Sequence, residues 1–266
     1  MISSPNAQSP SSPKSATSDL LDQSALATLA QRLVDAAKKA GADAADAIAV
    51  RGVSQGVEVR DGQVEESERS EGDDVGLRVF VGKRQAVVST NDVGGDAVAK
   101  LAERAVAMAR VAPDDEFVGL ADPALLAKQF PELDLLDPQM PSTAELERRA
   151  QEAEAAGLAV KGVAKSGGAS ASSGIGGMVL VTSTGFHGSY LRSSQGVSMM
   201  AIAGEGTGME RDYDFPSAIH ASDLRAPAEI GRSAGERTIA RLNPRKVATC
   251  RVPVVFDPRI SGSLVG

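Results

Sequence analysis

Two histidines, one cysteine and one dense polar cluster are where this 266-residue sequence could do chemistry. His187 and His220 are the side chains best suited to moving protons or binding a metal near neutral pH. Neither has a second His, Cys or acid at the spacing zinc sites use, so each reads as a surface or hydrogen-bonded residue. Cys250 precedes the apolar run Val252 to Phe256 and has no His near it in sequence. It reads as a small core residue rather than a nucleophile. The run Gly174-x-Gly176-Gly177 does not sit between a strand and a helix, as a phosphate cradle must, and reads as a flexible hairpin tip. The richest stretch is GEGTGMERDYDF, Gly204 to Phe215. Its Glu205, Glu210, Arg211, Asp212 and Tyr213 form either a plain polar surface loop or the lining of a cleft that meets a peptide. Arg211 is suited to a bidentate contact with a carboxylate, which lysine reproduces poorly. No nucleophile–base pair emerges, so no residue is assigned as catalytic or as a metal ligand.

These groups must be held by grouped helices and strands. Leu26, Leu29, Leu33 and Ala37 mark a first helix that Ser24 can cap and Gly41 ends. Strand-like pieces follow at 47–53, 56–60, 64–69, 75–81 and 85–89. Asp61-Gly62, Glu71 to Asp74 and Gly82 to Arg84 serve as turns between them. The acidic piece VEESERSEGDD reads as a solvated edge. A second helix spans 97–112, and Pro113 to Pro141, rich in proline and acids, reads as a long connection. Ser142 stands three residues before Glu145, a capping-box spacing, and opens a third helix that Gly157 ends. Strands resume at 160–166, 177–183 and 188–204; a fourth helix spans 226–242, and Val252 to Phe256 reads as a buried strand. This order predicts an α+β fold with antiparallel or mixed sheets. The expected layout is a Ser/Pro-rich disordered tail (1–20), an N-terminal α+β domain (21–112), a linker (113–141) and a second α+β domain (142–249). Residues 250–266 would begin a third, truncated domain with its first strand.

Composition narrows the function classes. Hydrophobic residues are 42% and charged residues 24%, as in a soluble globular protein, and net charge is −7 with no basic run. Nucleic acid is therefore not the expected partner. Aromatics are only 3%, so the core must be built from Ala, Val, Leu and Ile. No stretch reaches the roughly 20 apolar residues that span a bilayer. A lone cysteine fits a reducing cytoplasm, and no apolar signal core opens the chain.

Four segments carry a family resemblance: EVRDGQVEESERSEGDDVGLRVFVGKRQAVVST, AVAKLAERAVAMARVAPDD, LVTSTGFHGSYLRSS and NPRKVATCRVPVVFDP. They resemble the TldD/TldE (PmbA) family of metalloproteases, once described as modulators of DNA gyrase. In the catalytic D-type subunit of that family a His-Glu-x-x-x-His helix binds zinc beyond the region matching Val252 to Phe256, with the glutamate as general base. Here the approach reads SGSLVG up to Gly266, which resembles the E-type (PmbA) subunit that lacks the motif. The resemblance implies a zinc-free subunit of a cytosolic zinc peptidase complex, with zinc on a D-type (TldD-like) partner and small unfolded peptides as substrates. It also allows a homodimer where that partner is missing. Two alternatives stay open: a D-type subunit whose site lies beyond residue 266, or a non-enzymatic regulatory protein.

Overall fold

The computed structural model describes residues 22–266; the segment 1–20, expected to be a disordered tail, lies outside them. The fold is α+β, as expected. Seven strands, β1 (Ala44–Arg60), β2 (Gln63–Val81), β3 (Arg84–Thr90), β4 (Val163–Thr182), β5 (His187–Ala203), β6 (Glu210–Asp214) and β7 (Ser217–Ala218), make one sheet. Its order is β3-β2-β1-β4-β5-β6 with β7 beside β5, and every pairing is antiparallel. The helices are α1 (Ser24–Lys39), α2 (Ala97–Val111), α3 (Thr143–Leu158), α4 (Pro227–Ala240) and the short α5 (Pro258–Ser261).

Strand alternation decides where the helices sit. In β1 the odd-numbered residues Ala45, Ala47, Ala49, Val53, Val57 and Val59 are buried, and β4 and β5 present the same parity to the same face. Helices α1 and α2 cover Ala45 to Ala49 with Val179 and Val181. Helices α3 and α4 cover Val57 and Val59 with Ala169, Ala171 and Val197. Both helix pairs thus lie on one face, over opposite ends of long shared strands.

Between them the connection 113–141 crosses the sheet. Leu136 and Met140 pack on Val53 and Ile175. The Ser193 amide donates to the Leu135 carbonyl (2.9 Å), and the Ser193 hydroxyl accepts from the Asp137 amide (2.7 Å). His220 Nε2 lies 3.0 Å from the Asp134 carbonyl, which pulls the imidazole above its ordinary range. Asp137 accepts from the Ala221 and Gln139 amides, which hold its carboxyl below the usual range.

Several local expectations are corrected. Glu71 to Asp74 is no turn, because β2 runs through it paired to β1, with Arg51 bonded to Asp73 at 2.6 and 2.7 Å. Beyond Val75, β2 has β3 on its other side; from Gln63 to Asp74 it has only β1, so the acidic stretch is a solvated edge as expected. Gly174 to Gly177 is no hairpin tip but the middle of β4, where β1 and β5 satisfy its main chain from both sides. The pieces 47–53 and 56–60 are one strand, and those expected at 160–166 and 177–183 are the two ends of another, which begins only at Val163 and stops at Thr182. Ser24 does not cap α1; its own amide donates to Asp22 Oδ1 (2.9 Å). Ser142 does cap α3, accepting from the Glu145 amide, while Gly157 lies inside that helix. Val252 to Phe256 forms no strand, and Cys250 is exposed rather than in a core. A strand needs a neighbour for its main-chain groups, and among the described residues none pairs with this segment.

Candidate functional site

The polar cluster expected to be a loop contains an edge strand. Gly204 turns the chain out of β5 with φ +80°, where a Cβ would fall 2.5 Å from the Gly208 carbonyl oxygen; Glu205 is exposed in this turn. Glu210 to Asp214 then returns as β6, with Ala203 opposite Glu210, Ile202 opposite Arg211, Ala201 opposite Asp212 and Met200 opposite Tyr213. Alternation splits the candidates between two faces. Asp212 and Asp214 point to the side covered by α3 and α4 and are buried, whereas Arg211 and Tyr213 lie on the opposite side and are exposed.

On the helix side the acids are consumed by an arginine network. The Asp212 amide donates to Thr238 Oγ1 (3.1 Å), which fixes β6 to α4. The Asp212 carboxylate meets Arg259 Nη1 at 2.9 Å and Arg241 at 3.5 Å. Arg259 also donates to the Tyr213 carbonyl (2.7 Å) and to Asp257, and its guanidinium lies 5.2 Å from the Tyr213 ring centroid. Glu210 faces Arg241 at 3.5 Å, and Asp214 accepts from Arg225 at 2.8 Å. Burial pushes the Asp212 carboxyl up, but Arg259, the Tyr213 amide and Arg241 together outweigh it and hold it below the usual carboxylate range. Arg259 takes Asp257 down to about 2. A carboxylate with a depressed folded pKa contributes stability above its unfolded value near 3.9, and that contribution disappears as pH falls through the folded value. Acidifying from about pH 4 to pH 2 is therefore expected to release residues 257–261 from β6. Amide exchange across Arg259 to Ser261 would rise before that of β4; simultaneous loss would refute the local clamp.

On the open side, Arg211 and Tyr213 stand over a cavity of about 860 Å³ between the ends of β4, β5 and β6 and the segment 257–260. Lys165, Met200, Ile202 and Met209 also line it. The structure thus brings Glu210, Arg211, Asp212 and Tyr213 together, gives Asp212 a structural partner set, and leaves Glu205 in the adjoining turn. Sequence reasoning missed Lys165, Arg241 and Arg259. They arrive from a bulged strand, a helix end and a distant segment, and no local spacing announces them. Among the described residues no three His, Cys, Asp or Glu side chains converge as a metal site requires. No helix among them is long and apolar enough to cross a membrane.

Two family descriptions match the chain: PmbA/TldA metallopeptidase domain 1 over residues 45–109, and the PmbA/TldA metallopeptidase central domain over residues 136–242. Metalloprotease PmbA of Escherichia coli O157:H7 is 34% identical over 211 residues, which are 79% of this chain and 47% of that protein. The Metalloprotease PmbA homolog of Haemophilus influenzae is 33% identical over 227 residues, 84% of this chain and 49% of that protein. The chain spans about half the length of these curated relatives. Among solved structures, a putative modulator of DNA gyrase from Bacteroides thetaiotaomicron superposes with TM-score 0.77 and 24% identity, covering 83% of this chain and 51% of that one. TldE from Thermococcus kodakarensis superposes with TM-score 0.64 and 17% identity, covering 79% and 47%. At these identities the structural likeness speaks for the fold.

Proposed function

This chain belongs to the PmbA/TldD metallopeptidase family, and we propose that within it the protein is a zinc-free subunit of a cytoplasmic peptidase complex. In this reading a TldD-like partner holds the zinc, and small unfolded peptides are the substrates. The observation that carries it is the pairing of a family match over both parts of the sheet with a cavity at its open edge, lined by Arg211 and Tyr213. A cleft of this kind beside a sheet takes a peptide through the side chains that line it, a few placed polar groups fixing its orientation and apolar ones adding contact area. The residues of this chain bind and orient; no proton transfer or bond cleavage is assigned to them.

The deciding experiment compares peptide cleavage by the TldD-like partner alone and with this chain added. Faster cleavage by the pair, with no stoichiometric zinc on this chain, supports the reading. Equal rates would make the chain a regulator or a bystander, and tightly held zinc would favour a D-type identity. Replacing Arg211 and Tyr213 with alanine is expected to reduce cleavage by the pair roughly tenfold, the scale of one lost charged contact, while assembly persists. An assembled double variant that cleaves normally would reduce this strand to plain surface.

A further inference from the structure

We infer that the cavity beside β6 is a receptor for the free C-terminal carboxylate of a peptide whose last side chain is apolar; this rests on the reading that the chain handles peptides. Charge within the cavity is the starting observation. Its three acids are already neutralised: Glu210 by Arg241, Asp212 by Arg259 and Arg241, and Asp257 by Arg259 and Arg237. Two cations on its wall, Lys165 and Arg211, have no ion-pair partner among the described residues. In a chain of net charge −7 this leaves one locally positive recess.

Register places the two cations to act together. Lys165 is opposite Ile202, and Ile202 is opposite Arg211, so the three residues form one row across β4, β5 and β6. Two strand steps separate the cations by about 10 Å at the backbone, a gap both side chains are long enough to close over an anion held above Ile202. The position of Lys165 is itself unusual. The β4–β5 ladder runs in register from Gly168 to Val181, then slips between Ser166 and Gly168 and again between Val163 and Lys165. Bulges of this kind re-aim side chains beside functional sites. The remaining wall is apolar, with Ile202, Met200 and Met209, and methionine adapts to varied side chains. A carboxylate above an apolar bed matches the end of a peptide chain. Arg211 can take both oxygens while Lys165 adds a point charge.

The test is direct binding to the full 266-residue chain, read by fluorescence anisotropy without any cleavage step. The probes are a labelled peptide ending in Leu with a free carboxylate, the same peptide amidated, and one ending in Asp. Amidation is expected to weaken binding at least tenfold, as is Lys165→Gln combined with Arg211→Gln. The Asp-ended peptide should bind several-fold more weakly than the Leu-ended one. Arg211→Lys should recover only part of the affinity lost in Arg211→Gln. Both cations are exposed, so these variants keep their fold; an unchanged melting curve checks this. Equal binding of acid and amide, or unchanged binding by the double variant, overturns the proposal. Displacement of the Leu-ended peptide by inorganic phosphate but not by acetate would also overturn it, in favour of a phosphate site. If the chain accelerates its partner yet ignores amidation, this inference falls and the peptidase-subunit reading stands. If it binds the free acid selectively but does not accelerate the partner, the reverse holds.

Discussion

Replacing Gly231 with alanine is expected to lower the melting temperature by about 6–12 °C, although alanine is the better helix former by about 1 kcal/mol. Helices α3 and α4 meet through small residues: Ala150, Ala153 and Gly157 on one, and Gly231, Ala234 and Gly235 on the other. A Cβ at Gly231 would lie 1.8 Å from the Ala153 carbonyl oxygen and 2.7 Å from its carbon. Both are main-chain atoms of a buried helix, so no side-chain rotation relieves the clash. The helices must separate, and Leu146 and Ile230, both fully buried, then lose packing. Overpacking of this kind costs about 3 kcal/mol, which in a chain of this size corresponds to the stated shift. Gly72→Ala is the control, because a Cβ there meets nothing within 4 Å. Calorimetry that finds Gly231→Ala as stable as the parent would show that the helix crossing is looser than described.

A second large effect is expected at Glu154, a charged residue only 2% exposed inside α3. Its carboxylate accepts from the amides of Asp61 (3.0 Å) and Gly62 (2.8 Å), the two residues of the β1–β2 hairpin turn. Both adopt positive φ, 52° and 75°, as a two-residue hairpin of this hand requires, and their amides point at the helix instead of across the ladder. Hydrogen bonds to an ionised acceptor are worth about 1.5–3 kcal/mol each, and water recovers part of that at an exposed turn. Glu154→Ala should therefore cost about 3 kcal/mol, and Glu154→Gln, with one acceptor oxygen, roughly half of it. Amide exchange at Asp61 and Gly62 should accelerate in both variants. Unchanged exchange there would mean the turn holds itself.

The same two residues show what local sequence encodes. Asp61-Gly62 is legible as a turn because its φ demands are met by residue type alone. The helix faces are legible too: Leu26, Leu33 and Ala37, or Val98, Leu101 and Ala105, repeat with the helical period and are buried where that period puts them. The Ser142 cap is a local hydrogen bond between residues three apart, and the structure contains it.

What local sequence hides is whatever a distant strand supplies. Gly174 to Gly177 and Glu71 to Asp74 carry turn-like composition, yet pairing with β1 makes both into strand. Val252 to Phe256 carries strand-like composition and has no pairing partner among the described residues. Strand propensity describes fit to a neighbour, so it misleads wherever the neighbour decides. At the candidate site, the sequence by itself determined the residue types: a dense run of acids, an arginine and a tyrosine from Glu205 to Tyr213, and a family signature around it. Only the tertiary structure decided their uses. The two-residue period of β6 turned Asp212 inward to Arg259 and Arg211 outward to the cavity, and a bulge in β4 placed Lys165 in the same row. The Arg259 contacts to Asp212 and Tyr213 join residues 46 positions apart or more along the chain, and a sequence read locally has no term for them.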